Sequence, residues 1–242
     1  MHPVTPLRER SPGYPPSWRE LAPISRDSPP RVVLPELLDE LPPDSPAARA
    51  SRRDLLIINR LLGSTQWFRR TLGEQLRPDE PVLELGAGTG ELGLALNAGV
   101  PNLAGLDLCG RPIHWPRQAS WFKTNVLEFA DWAAYPVVIG NLFFHHFDRG
   151  GLAKLGAKLN EHARVLITSD PLRALRTRRL FSLLCPLIQA HPVTRYDGRV
   201  SIGAGFRQEE LSHLLQLDPA VWRWHVQATW LCSCRLVAVR RT

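Results

Sequence analysis

The chain has 242 residues, 44% of them hydrophobic and 22% charged, with a net charge of +7. That length supports one sizeable core, or one domain with an appendage, and the composition excludes a wholly disordered chain. Four cysteines exclude a disulfide-stapled miniprotein, and no apolar run reaches the ~18 residues of a membrane span.

The segment behind Met1 lacks the apolar core of a secretory signal, so the expected compartment is the cytoplasm. Arginine dominates the basic side: of 30 Lys and Arg, only Lys123, Lys154 and Lys158 are lysines. The positive charge permits contact with nucleic acid or an acidic membrane and establishes neither. Proline is unevenly spread, with twelve of 22 between Pro3 and Pro46. Each proline removes a backbone donor and pushes its predecessor out of the helical region. Residues 1–31 therefore read as an extended, mobile leader, with Trp18 and Leu21 available to dock on the domain.

A short amphipathic helix is expected over 32–41, starting near Pro35, and Pro42 and Pro43 stop it. Asp44-Ser45-Pro46 opens a longer helix, in which Leu55, Leu56, Ile58, Leu61 and Leu62 recur at helical spacing. Gly63-Ser64 breaks the pattern, and Trp67, Phe68 and Leu72 resume it. Residues 32–80 thus form a helical cap. From Pro81 the rhythm changes to strand, turn, helix. Strands are expected at 82–85, 103–108, 120–123, 136–140 and 163–169, with helices at 91–97 and 152–162. This alternation implies βαβ units and a parallel sheet. A lid insert follows over 171–206: a basic helical stretch, then a loop near 191–205. A helix over 208–217 precedes two strands, 222–228 and 230–239. In the last of these Cys232 and Cys234 would share one buried side. Residues 81–242 constitute the main domain.

The most specific segment runs Val82-Leu83-Glu84-Leu85-Gly86-Ala87-Gly88-Thr89-Gly90-Glu91. Glycines allow positive φ and close backbone approach, and the following helix start presents free N–H groups to a ligand. A dinucleotide fingerprint would place its third glycine at Glu91, but the glycine arrives one residue early at Gly90. Glu84 would repel a pyrophosphate and suits an ammonium. Seventeen residues past Gly90, Asp107 ends the second strand, where a carboxylate can accept both hydroxyls of a ribose.

These residues resemble motif I and the acidic second motif of the class I S-adenosylmethionine (SAM)-dependent methyltransferases. The resemblance spans roughly residues 50–240. It implies a seven-stranded, mostly parallel, doubly wound sheet with an antiparallel C-terminal strand, in keeping with the terminal hairpin. It implies SAM as cofactor and S-adenosylhomocysteine (SAH) as product. It places Glu84 and Asn141 at the methionine end, Gly86, Ala87, Gly88 and Gly90 along the cofactor, and Asp107 and Leu108 at the ribose. Asn125 and Val126 fall at the adenine, and Leu142 follows Asn141. His145 and His146 are the clustered titratable groups near the methyl donor, and an imidazole can serve as a base near neutral pH.

A narrower resemblance, to bacterial methyltransferases of phenolic or lipid-like products, rests on Arg53–Gly63 and on the His191–Ser201 segment. It brings Asn59 and Arg60 to the cofactor carboxylate, and Tyr196, Asp197 and Ser201 to the acceptor pocket. The expected reaction is methyl transfer to a hydroxyl oxygen of an aromatic or lipophilic small molecule. Residues 173–188, arginines beside an apolar run, suit a lid touching lipid or a lipophilic substrate. No metal-ligand spacing is present. An RNA methyltransferase is the first alternative. The chain lacks an auxiliary RNA module and the N/D-P-P-Y/F tetrad of base N-methylation. A non-catalytic SAM-binding protein is the second. Oligomeric state is not readable from the sequence.

Overall fold

The computed structural model describes residues 30–42 and 44–241. The expected leader with Trp18 and Leu21 lies outside these residues, except for its last members. Arg31 is part of the body: its guanidinium donates to the carbonyls of Ala204 (2.7 Å), His145 (3.1 Å) and Phe147 (2.7 Å), and it stacks on the Phe206 ring.

The N-terminal helices are set by their punctuation. α1 is one turn, Leu37–Glu40. α2, Pro46–Leu62, starts where the Ser45 side chain accepts the Ala48 N–H and Pro46 fills the first helical position. Gly63, at φ 64°, ends it in the left-handed conformation, and α3, Ser64–Gln75, restarts at once. Then follow β1 (Val82–Leu85), α4 (Glu91–Leu96), β2 (Leu103–Asp107), β3 (Trp121–Lys123) and β4 (Val137–Asn141). The chain continues with α5 (Arg149–His162), β5 (Val165–Pro171), α6 (Leu175–Leu187), α7 (Pro192–Ala204) and α8 (Glu210–Leu214), and ends with β6 (Trp222–Ala228) and β7 (Ser233–Arg240).

The seven strands form one sheet in the order β3-β2-β1-β4-β5-β7-β6, and β7 runs antiparallel to both neighbours. Central strands buried on both faces need nearly continuous apolar sequence, which β1, β4 and β5 supply. On one face Leu83, Leu85, Val138 and Leu166 meet Leu152, Leu155 and Leu159 of α5. On the other, Val82, Ile139 and Ile167 meet Phe68 and Leu72 of α3 and Leu92 and Leu96 of α4. Full burial of a side chain such as Phe68 stabilises by about 1.5–3 kcal/mol. α3 is therefore a sheet-covering helix, not part of a separate cap.

Three further expectations change. Residues 192–204, read as a loop, form the helix α7. The His191 side chain caps it by accepting the Val193 N–H, and Pro192 occupies the first turn. Its interior Gly198 is required by packing, because a Cβ there would strike the Phe181 ring. The last strand begins at Ser233, after a turn in which Cys232 takes φ 70°. Cys232 and Cys234 are both buried, but only Cys234 is in the strand. The insert is tied at its base: Leu172 bridges Phe206, the Phe206 N–H donates to Pro171, and the Arg173 N–H donates to Phe206. Arg173, read as part of a basic lid face, is buried and donates to the Gly205 carbonyl and the Glu210 carboxylate. Among the described residues no helix is long and apolar enough to cross a membrane.

Candidate functional site at the carboxyl edge of the sheet

In parallel α/β sheets, ligands bind beyond the carboxyl ends of the strands, where the strand order reverses. Here that point lies between β1 and β4. Successive strand residues alternate faces, so the register Glu84↔Gly105 and Glu84↔Ile139 puts Glu84, Asp107 and Asn141 on the same face, at that edge.

The loop leaving β1 carries Gly86, Gly88 and Gly90 at φ 63°, 55° and 81°. At Gly86 a Cβ would also run into the Phe143 ring, and at Gly90 into the Trp115 ring. The loop is held by the neighbouring strand: the Ala87 N–H donates to Leu106, and the Gly88 N–H donates to Asp107 Oδ2 at 2.8 Å. Asp107 Oδ1 accepts the Cys109 N–H at 2.8 Å. Each carboxylate oxygen thus accepts one backbone N–H and keeps lone pairs to spare.

Glu84 is buried, and its Oε2 makes no hydrogen bond. Burial, with the charges of Glu91 and Asp107, pushes this carboxyl up to about 8, and the Gly93 N–H only partly offsets them. Asn141 donates from Nδ2 to Asn59 Oδ1 at 3.4 Å, while its buried Oδ1 has no partner. Two buried acceptors without donors, on the same face, fit a cationic ammonium group. Asn59 is thus brought to Asn141, whereas Arg60 is exposed at the end of α2.

Leu108, just beyond Asp107, is 71% exposed. Asn125 is exposed and Val126 buried; Asn125 Oδ1 already accepts the Leu127 N–H at 3.0 Å, closing a turn. Leu142 has φ 54°, and its N–H donates to Ser169, which turns the chain sharply into the one-turn helix Phe144–His146.

That turn buries His145. Its Nδ1 lies 2.9 Å from Asp170 Oδ1, and its Nε2 lies 3.4 Å from Glu36 Oε1. Burial works to lower its pKa, but the two carboxylates outweigh burial and hold the imidazole at about 9. Glu36, also buried in large part, is kept below the usual carboxylate range by His145. His146 is more exposed; its ring lies 4.2 Å from that of His145, and its Nδ1 is 3.8 Å from Asp39 Oδ2. Burial and the neighbouring His145 charge push His146 down to about 4. Asp39 rises to about 6 through burial and the charges of Glu36, Asp197 and Asp107. The two histidines, read from the sequence as equivalent, are therefore opposites: one held in a carboxylate sandwich, one neutral at the rim.

Glu36, Asp39 and Asp170 were not singled out from the sequence. Asp170 carried a usable signal, a carboxylate near the carboxyl end of a parallel strand. Glu36 and Asp39 carried none, since only the tertiary fold lays α1 across the cleft. The residues expected to line the acceptor pocket explain how α1 is held. Asp197 accepts the Leu37 and Leu38 N–H groups at 2.7 and 3.0 Å, and Ser201 donates to Glu36. Tyr196 lies on an outer groove with Val32, Leu34 and Arg178. Asp197 and Ser201 thus fasten α1 and Glu36, and Tyr196 is not among the residues that contact them.

No family model matches the chain, and no curated protein matches it. Solved structures do. The plantazolicin methyltransferase BpumL, in complex with a triazolic desmethylPZN analogue and SAH, superposes with a TM-score of 0.65 at 12% identity, covering 85% of this chain and 93% of that one. The plantazolicin methyltransferase BamL gives 0.63 at 12% identity, with the same coverage of 85% and 93%. The pyocyanin biosynthetic protein PhzM gives 0.54 at 16% identity, covering 82% of this chain and 60% of that one. With its strand order and reversed seventh strand, the chain has the class I methyltransferase fold.

Proposed function

We propose that this chain is a SAM-dependent methyltransferase acting on a small molecule, with a hydroxyl oxygen of an aromatic or lipophilic metabolite as acceptor. The observation that carries this reading is the pair of unpartnered buried acceptors, Glu84 Oε2 and Asn141 Oδ1, beside a positive-φ glycine loop and Asp107. Bound SAM supplies an electrophilic methyl group. Glu84 and Asn141 receive the ammonium, Gly86, Ala87, Gly88 and Gly90 allow close approach, Asp107 and Leu108 hold the ribose, and Asn125 and Val126 border the adenine. Leu142 sets the turn that directs His145 and His146 to the acceptor end. Most of the rate enhancement then comes from holding the acceptor oxygen in line. His146 and Asp39, 3.8 Å apart, are the groups placed to take the acceptor proton. His145 is a positioning residue. Asp197 and Ser201 act on the acceptor only through the placement of α1, and Tyr196 lines the groove beside Val32 and Leu34.

BpumL and BamL are plantazolicin methyltransferases solved with a triazolic desmethylPZN analogue, which supports a small-molecule acceptor. The fate of the arginines does so too. Arg164 pairs with Glu80, Arg173 with Glu210, and Arg240 donates to backbone carbonyls, so these three charges are tied internally and not arrayed for RNA. Leu180, Leu183 and Leu187 on α6 are 48, 66 and 81% exposed, which supports a lipophilic acceptor or approach to a lipid surface. Four unpaired cysteines support a cytoplasmic setting.

The test is calorimetry with SAM and SAH, followed by incubation with SAM and a panel of phenols, mass spectrometry reading the gain of one methyl. Micromolar binding of both ligands and methylation of at least one hydroxylated aromatic are expected. Folded protein that binds neither ligand overturns the reading.

A further inference from the structure

We propose that Glu36, His145 and His146 form a site for a divalent first-row transition ion of zinc-like ligand preference, at the acceptor end of the cleft. Each residue offers a ligand atom, and the three atoms lie within 4.8 Å of one another. His145 Nε2 and Glu36 Oε1 are 3.4 Å apart. Two ligands at ~2.0–2.1 Å in a tetrahedral set stand roughly 3.3–3.4 Å apart, so this edge already has the required length. Only His146 must close in.

Metal-binding histidines commonly donate their second ring N–H to a carboxylate or carbonyl, which fixes the free nitrogen toward the ion. His145 here has such a partner. Asp170 Oδ1 holds His145 Nδ1 at 2.9 Å and also accepts the His145 backbone N–H, so Nε2 is the nitrogen presented to Glu36. His146 Nδ1 lies 3.8 Å from Asp39 Oδ2. Ser201 donates to Glu36, and Asp197 caps α1, so the carboxylate ligand is oriented as well. Two imidazoles and one carboxylate are a zinc ligand set that leaves an open position.

The charge around the cluster is largely acidic. Glu36 precedes α1, Asp170 of β5 holds His145, and Asp39 of α1 stands beside His146, with the charges of Asp197 on α7 and Asp107 on β2 acting on Asp39. The nearby cation, Arg31, directs its guanidinium to the carbonyls of Ala204, His145 and Phe147. A divalent ion offsets the excess and, on entering, displaces the proton from His145 Nε2 to solvent. The site is built by residues more than a hundred positions apart, so no sequence spacing announces it. Resting on the methyltransferase reading, the ion's open position receives the acceptor oxygen and selects acceptors that bind as oxyanions. With the ion bound His146 is a ligand and no longer a base, and Asp39 is left to take the acceptor proton.

The experiment titrates Co²⁺ into the tag-free, chelator-treated full chain and follows visible d–d absorption, with Zn²⁺ competition. One saturating equivalent with the intense band of a four- or five-coordinate ion is expected, and Zn²⁺ abolishes it. His146→Ala and Glu36→Gln should each weaken Co²⁺ more than tenfold, and Asp170→Asn, which acts through His145, by roughly 10- to 100-fold. His162→Ala, on the remote end of α5, should leave binding unchanged. His146 lies at the rim, so its variant keeps the test valid if Glu36→Gln fails to fold. Absence of saturable binding, or binding indifferent to His146→Ala, overturns the proposal. SAH calorimetry on the same samples separates the two readings. SAH binding without Co²⁺ binding refutes the metal site alone, and Co²⁺ binding without SAH binding refutes the methyltransferase alone.

Discussion

Replacing Glu84 by glutamine should make the ligand-free protein more stable while impairing cofactor binding. The carboxyl is pushed from its ordinary 4.5 up to about 8 by burial and by Glu91 and Asp107. Between those values the folded chain retains a proton that the unfolded chain has released, so stability falls as pH rises through this window. At 1.36 kcal/mol per unit, the cost is at most about 3 kcal/mol at pH 7 and about 5 kcal/mol above pH 8. Glutamine keeps the shape and never ionises, so it removes the cost. In a chain of this size 1 kcal/mol moves Tm by about 2–4 °C, so Glu84→Gln should melt higher than wild type at pH 8, by up to about 10–20 °C. The two should melt together near pH 4.5. Calorimetry supplies the second half. An arriving ammonium ionises Glu84, so wild-type SAH binding at pH 7 should release a proton, seen as an enthalpy that depends on the buffer. The variant should bind at least tenfold more weakly, with no buffer dependence. A Tm gain equal at all pH values, or a loss at pH 8, would refute the electrostatic argument. Unchanged SAH affinity would refute the assignment of Glu84 to the ammonium.

Asp107→Ala should weaken SAH at least tenfold by removing charged acceptors, and calorimetry measures it. Gly90→Ala forces a Cβ into φ 81° and against the Trp115 ring, so urea unfolding should show a loss of about 1–3 kcal/mol. Asp54 is fully buried on α2 and accepts from the His191 N–H, the Thr194 hydroxyl and Arg53. Burial raises its pKa, but these donors outweigh burial and lower it. Its stabilisation is therefore present above the ordinary carboxylate range and lost as pH falls below it. Asp54→Asn should cost about 3 kcal/mol at pH 7, and the deficit should shrink on acidification below pH ~4.

Most of the glycine-loop edge of the candidate site was legible in the sequence because it is built locally. Strand, glycine turn and helix are consecutive from Val82 to Leu96, and Asp107 ends the next strand, so a short window contains the whole argument. The acceptor side was not legible, because its parts come from residues 36, 39, 145, 146 and 170. α7 was missed for a related reason. Gly198 and the β-branched Val193, Thr194, Val200 and Ile202 argue against a helix on propensity, while the Phe181 ring and the Asp54 anchor, both tertiary, decide the matter. The charge misled in a similar way, since Arg173 belongs to the interior.

The tie at the base of the 171–206 insert bears on how such a fold diversifies. Leu172 and Phe206 are bridged, and Arg173 pins Gly205 and Glu210, so the entry and exit of the insert are fixed by the body and not by its contents. The entropy of closing a longer or shorter excursion across a fixed gate grows only slowly with length. α7 is anchored a second time, by Asp54 through Thr194 and His191 and by Asp197 to α1. Variation in length is therefore accommodated most readily in α6 and the turn that follows it, over a sheet whose strand register stays untouched.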